Sequence, residues 1–144
     1  MSKSKTLRAL VIDDTPVNGK LAEALLRSYA VKVDLAESAE AGLAMLYEQS
    51  YDMALLDIEL PGMQGDEMCQ LIRQDPNLAG LFVVAYTAHA YDEQKQRFLA
   101  AGFDDLLIKP ISLISARRVL RPVLSRSKQC PTWDVTQSMA LLKA

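Results

Sequence analysis

The 144-residue chain contains a single histidine, His89, and only two cysteines, Cys69 and Cys130. One imidazole cannot build a multi-histidine metal centre, and its isolation argues against a histidine-based catalytic triad. The cysteines form no metal-ligand spacing and no disulfide framework, so both are expected as free thiols. Long hydrophobic runs are missing too: charged or polar residues interrupt each apolar stretch before it could span a bilayer. The start, MSKSKTLR, is basic, but the apolar segment behind it meets Asp13 too soon to act as a secretory signal. These absences point to a cytoplasmic chain that makes no membrane contact itself. Net charge is -2 and no basic stripe stands out. Arg117, Arg118, Arg121, Arg126 and Lys128 read as a solvated helix face, so direct nucleic-acid binding is not expected. Neither G-x-G-x-x-G nor G-x-x-x-x-G-K-[ST] occurs, which removes the usual phosphate-cradling loop of nucleotide binders.

What is present is ordinary core material. Half of the residues are hydrophobic and 24% are charged, enough for one domain without staples. Short apolar runs alternate with longer amphipathic stretches. Leu10-Val11-Ile12 precedes a helix expected to bury Val17, Leu21, Ala24, Leu25 and Ser28. Val31, Val33 and Leu35 alternate with polar residues, as in a strand nearer an edge. Ser38 is placed to cap a helix carrying Ala39, Leu43 and Leu46. Met53-Ala54-Leu55-Leu56 and Phe82-Val83-Val84-Ala85 are continuous apolar runs, the pattern of strands buried on both faces. Between them runs a helix with Met68, Leu71 and Ile72. A helix with Phe98 and Leu99 follows and stops at Gly102. Leu106-Leu107-Ile108 then leads into a last helix with Leu113, Ala116, Leu120 and Val123. Pro122 should kink that helix or shorten its last turn. Five βα units in succession predict an α/β fold with a parallel sheet between helix layers. Residues 1–5 read as an extension, 6–125 as the domain and 126–144 as a tail.

In an open α/β sheet, ligands bind beyond the carboxyl ends of the strands. Here those ends carry Asp13-Asp14, Asp57, Thr87 and Lys109, so four of the five strands send polar groups to one rim. Taken singly, each is an ordinary turn, cap or surface residue. Together they make a chemical set. Three converging carboxylates repel one another, and a hard divalent cation such as Mg²⁺ relieves that repulsion. A carboxylate can also accept a phosphoryl group covalently. The charge of the transferring group spreads over its equatorial oxygens, which an ammonium and a hydroxyl can neutralise.

The segments VIDDTPVN, LLDIELPGMQG, AYTAHA and AGFDDLLIKPI, in this order, resemble the signature segments of response-regulator receiver domains over about residues 6 to 125. The resemblance implies a two-component phosphorelay. Its fold is flavodoxin-like, (βα)5, with strand order 2-1-3-4-5 and a cis Lys109-Pro110 bond. It makes Asp57 the phosphoacceptor. It assigns the metal, Mg²⁺ or Mn²⁺ in its place, to Asp14, Asp57 and the Glu59 carbonyl directly, and to Asp13 mainly through water. Thr87 and Lys109 would contact phosphoryl oxygens. The implied partner is a sensor histidine kinase or a histidine-phosphotransfer domain. Such a domain catalyses its own phosphorylation and dephosphorylation rather than turning over a separate substrate.

Leu106 departs from the pattern, because receivers usually carry Tyr or Phe three residues before the Lys-Pro lysine. A leucine has no phenolic hydroxyl, so a smaller switching response is expected. Tyr86 and Phe103 read as core. Glu59 and His89, each two residues beyond a reactive position, read either as exposed loop residues or as tuners of phosphoryl lifetime. DDTPVN and AYTAHA look like hybrid sensor kinase receivers. TWDVTQSMALLKA weakly resembles the opening helix of a phosphotransfer domain, with an amphipathic extension as the alternative. Three other functions compete: a small Mg²⁺-dependent aspartyl-phosphate phosphohydrolase of the haloacid-dehalogenase type, a nucleotide or flavin binder, and a module that no longer receives phosphate.

Overall fold

The computed structural model describes residues 6–88 and 92–126. His89, Cys130, Lys128 and the whole TWDVTQSMALLKA segment lie outside the described residues.

Ten elements alternate along the chain. They are β1 (Arg8–Ile12), α1 (Pro16–Arg27), β2 (Lys32–Ala36), α2 (Ala39–Glu48), β3 (Met53–Asp57), α3 (Gly65–Gln74), β4 (Phe82–Thr87), α4 (Asp92–Ala101), β5 (Asp105–Ile108) and α5 (Leu113–Arg126). The strands form one parallel sheet in the order β2-β1-β3-β4-β5. The reversal of order after β1 makes a switch point between β1 and β3, where the strand ends diverge and leave a crevice.

Strand alternation explains why the central runs are apolar without interruption. Ala9, Val11, Met53, Leu55, Phe82, Val84 and Tyr86 face one core, filled from α1 by Ala22 and Leu26 and from α5 by Ala116, Val119, Leu120 and Val123. Leu10, Ile12, Ala54, Leu56, Val83 and Ala85 face the other, filled by Ala39 and Leu46 of α2, Met68, Cys69 and Ile72 of α3, and Phe98 of α4. Leu55 and Leu56 thus point to opposite sides, and both are fully buried. Each contributes about 2 kcal/mol through burial.

The helix boundaries have local causes. Ser38 caps α2 by accepting from the Ala41 amide at 3.1 Å. Gln64 and Glu67 form a reciprocal capping box at the start of α3. Gly102 ends α4 with φ +108°, a conformation only glycine adopts without strain. Cys69 is buried and free.

One expectation about a helix face is corrected. The buried stripe of α1 is Gly19, Ala22 and Leu26, whereas Val17 is 74% exposed and Leu21, Ala24 and Ser28 also face solvent. Small residues at 19 and 22 bring the helix close to the sheet, which outweighs the larger apolar stripe on its other side. Pro122 does not shorten α5, which continues to Arg126. Among the described residues, no helix is long and apolar enough to cross a membrane.

Candidate functional site

The site is built at the carboxyl ends of β1, β3, β4 and β5. Asp13 follows β1 directly and is buried, and its Oδ1 accepts the Thr15 amide at 2.8 Å. Asp14 beside it is exposed. Asp57 is the last residue of β3 and is also buried. Carboxylate oxygens of Asp13, Asp14 and Asp57 lie within 4.8 Å of one another. The strands are paired in register up to this point, with Ile12 opposite Leu56. Asp13 and Asp57 are therefore neighbours because each is the first residue past that pair.

The two oxygens of Asp57 have different surroundings. Oδ1 accepts the backbone amide of Glu59 at 3.0 Å, while Oδ2 lies 3.2 Å from the Lys109 ammonium. The Glu59 side chain itself is exposed. Lys109 reaches over from the end of β5 and also sits 2.9 Å from Asp13 Oδ2. That contact draws on a hydrogen bond from the ammonium as well as on charge. Thr87 closes β4, is buried, and its carbonyl accepts the Lys109 amide at 2.7 Å. The Lys109-Pro110 bond is cis.

Charge is not balanced here. Burial pushes the Asp57 carboxyl up from 3.8 to about 6. The Glu59 amide works against that rise, Asp13 adds to it by repulsion, and Lys109 again opposes it. For Lys109, burial works to lower the pKa, but Asp13 and Asp57 outweigh burial and hold the ammonium above its usual range. One ammonium thus pairs with Asp13 and Asp57 while the Asp14 carboxylate lies beside them, and the cluster carries excess negative charge.

Sequence reading alone did not find three features of this site. The Tyr86 ring lies under Lys109, with the ammonium 4.9 Å from its centroid. Arg118 of α5 pairs with Asp105 at 2.8 Å and also donates to the Leu106 carbonyl. Leu106 itself is half-buried against the α2–α4 side core. Finally, a Cβ on Gly65 would meet the Asp57 carbonyl oxygen at 2.4 Å and Ile58 Cα at 2.8 Å. The start of α3 is packed onto the backbone that presents the Asp57 carboxylate. Gly65→Ala is expected to destabilise the protein by about 3 kcal/mol, because backbone rather than a flexible side chain must move. Urea unfolding checks this, and an unchanged midpoint would mean that the loop yields freely.

Residues 9–121 match the family described as response regulator receiver domain. The chain is 38% identical over 105 residues to the signal transduction histidine-protein kinase BarA of Escherichia coli K12, covering 73% of this chain and 11% of that protein. It is 36% identical over 112 residues to the sensor protein GacS of Pseudomonas syringae pv. syringae, covering 76% of this chain and 12% of that one. It therefore spans about a tenth of the length of these kinases. Among solved structures, it resembles the receiver domain of the sensor histidine kinase PA1611 from Pseudomonas aeruginosa PAO1, which has a magnesium ion coordinated in its active-site cleft. The TM-score is 0.75 at 30% identity, over 83% of this chain and 98% of that one. The chemotaxis protein CheY4 of Vibrio cholerae shares the fold, with TM-score 0.78 at 22% identity over 83% and 99% of the two chains. The carboxylate rim, the strand order and these likenesses agree: the chain belongs to the response regulator receiver domain family, and its relatives are receiver domains of sensor histidine kinases.

Proposed function

We propose that this receiver takes a phosphoryl group onto Asp57 from a phosphohistidine of a sensor kinase or of a histidine-phosphotransfer domain. The observation that carries this reading is the excess of carboxylate charge around one lysine at the switch point of the sheet. An Asp57 oxygen attacks phosphorus, the Oδ–P bond forms, and the P–N bond to the donor imidazole breaks. The electron pair of that bond leaves with the imidazole nitrogen. Lys109 and Thr87 contact two of the phosphoryl oxygens and offset their charge.

The residues present fit a divalent ion. Carboxylate oxygens of Asp13, Asp14 and Asp57 lie within 4.8 Å of one another with a single ammonium against two of them, a donor set of hard oxygens short of positive charge. Asp13, Asp14, Asp57 and the Glu59 carbonyl would hold Mg²⁺, with Mn²⁺ as a substitute, and an all-oxygen set suits either. When bound, the ion supplies positive charge against the phosphoryl oxygens.

The other parts of the reading follow from position. Val17 on the first turn of α1 and Leu113 and Ile114 on the first turn of α5 are exposed apolar residues on helices that start at the rim. They suit an apolar partner surface beside Asp57, as a cytoplasmic kinase or phosphotransfer helix would present. Leu106 lacks the phenol of the usual switch, and its carbonyl is tied to Arg118, so the output response is small. Glu59 is exposed near Asp57 and is free to tune phosphoryl lifetime. The phosphohydrolase alternative is not favoured: such enzymes carry the nucleophile on the first strand, whereas Asp57 closes β3.

The test is incubation with Mg²⁺ and acetyl phosphate followed by intact mass. The expected result is one phosphoryl adduct on the wild type and none on Asp57→Asn. An adduct on the Asn variant would move the site elsewhere.

A further inference from the structure

We infer that Tyr86 is a positioning residue for Lys109 and acts through the face of its ring. This rests on the reading of Lys109 as the cation that meets the phosphoryl group. Strand register brings the two together. Tyr86 is paired with Leu107, and Lys109 lies two residues further on, so both side chains leave the same face of the sheet. The ammonium sits 4.9 Å from the ring centroid while also lying 2.9 Å from Asp13 and 3.2 Å from Asp57. The ring is fully buried in the core between the sheet, α1 and α5, which fixes its plane.

The chemistry of the contact suits the task. A lysine has four rotatable side-chain bonds and a compact charge. Two carboxylates hold it in the unphosphorylated site, but one of them becomes an acyl phosphate when Asp57 reacts. The ammonium must then shift from a carboxylate oxygen to a phosphoryl oxygen without leaving the rim. An aromatic face attracts a cation through its quadrupole and has no lone pair that fixes direction. It can hold the ammonium in both positions. The phenolic hydroxyl is buried beside the Ile111 backbone, and the contact between cation and ring face does not use it. The ring face, not the hydroxyl, is the functional part.

The experiment compares Tyr86→Phe, Tyr86→Leu and a series in which phenylalanine with increasing fluorination fills position 86. Fluorination keeps the ring's shape and weakens the negative charge of its face. Two readouts are taken on each protein: the rate of adduct formation with acetyl phosphate and Mg²⁺, and the proton shifts of the Lys109 methylenes. Tyr86→Phe should keep the wild-type rate and the upfield ring-current shift of those methylenes. Tyr86→Leu should lose the shift and react about three- to tenfold more slowly. Along the fluorinated series the rate should fall stepwise while circular dichroism stays constant. If Tyr86→Leu fails to fold, the fluorinated series decides alone. A rate independent of fluorination would overturn the inference and reduce Tyr86 to core packing. An absence of adduct on the wild type would instead overturn the phosphoacceptor reading, so the two failures are separable.

Discussion

Asp57→Asn is expected to make the metal-free protein more stable while it abolishes the phosphoryl adduct. The reason is the unbalanced charge at the rim. The Asp57 carboxyl is raised to about 6 in the folded state, from 3.8 for an ordinary aspartate. Between those two values the folded protein binds more protons than the unfolded chain. Stability therefore falls as pH rises through that window. The penalty is absent below about pH 4 and complete above about pH 6, where it amounts to on the order of 3 kcal/mol. Asparagine removes the charge and with it the whole penalty. The attraction of Lys109 is already contained in the raised value, so a net gain of on the order of 3 kcal/mol at pH 7.5, vanishing near pH 4, is expected. Urea unfolding of both proteins across pH 4 to 8 in chelator measures it. Equal stability at pH 7.5 would mean that the carboxylates are already compensated. Saturating Mg²⁺ should stabilise the wild type more than the Asn variant, because the ion binds the folded site through the carboxylate that the variant lacks.

Lys109→Ala should have the opposite effect on stability and a larger effect on chemistry. The lysine side chain is mostly buried and neutralises two carboxylates that are almost wholly buried. Removing it leaves those charges facing each other, a loss of about 3 kcal/mol in the absence of metal. Adding Mg²⁺ should recover much of that loss. Metal affinity should rise, since an internal cation no longer competes for Asp13 and Asp57. Adduct formation should nevertheless slow by about 10²- to 10³-fold, because the charge on the phosphoryl oxygens loses a fixed partner. Thermal unfolding against Mg²⁺ concentration and the acetyl phosphate reaction separate the two effects. Weaker metal binding in Lys109→Ala would contradict the competition between ammonium and ion. An unchanged rate would remove Lys109 from the chemistry.

The architecture was largely legible in the sequence because a doubly covered parallel sheet writes a simple pattern. Strands such as Met53–Asp57 and Phe82–Thr87 face apolar layers on both sides, so they appear as unbroken apolar runs. Each run ends where the sheet ends, and the first polar residue after it marks the rim. Asp13, Asp57, Thr87 and Lys109 were found in this way, from local order alone. The faces of α1 were not legible in the same way. Its exposed Val17 and Leu21 give a stronger apolar stripe than its buried Gly19 and Ala22, and only packing shows that the small residues face the sheet.

By itself, the sequence determined the βα repetition, the sites where strands deliver acidic, hydroxyl and ammonium groups, and the family to which those segments belong. These follow from short-range periodicity and from residue type. The tertiary structure alone decided how charge is shared at the rim. It set Lys109 between Asp13 and Asp57, raised the Asp57 carboxyl, and slid the Tyr86 ring beneath the ammonium. Those relations join residues on different strands, and their strength depends on burial and on separations of a few ångströms. Neither quantity is carried by any stretch of chain until the sheet has brought its four strand ends together.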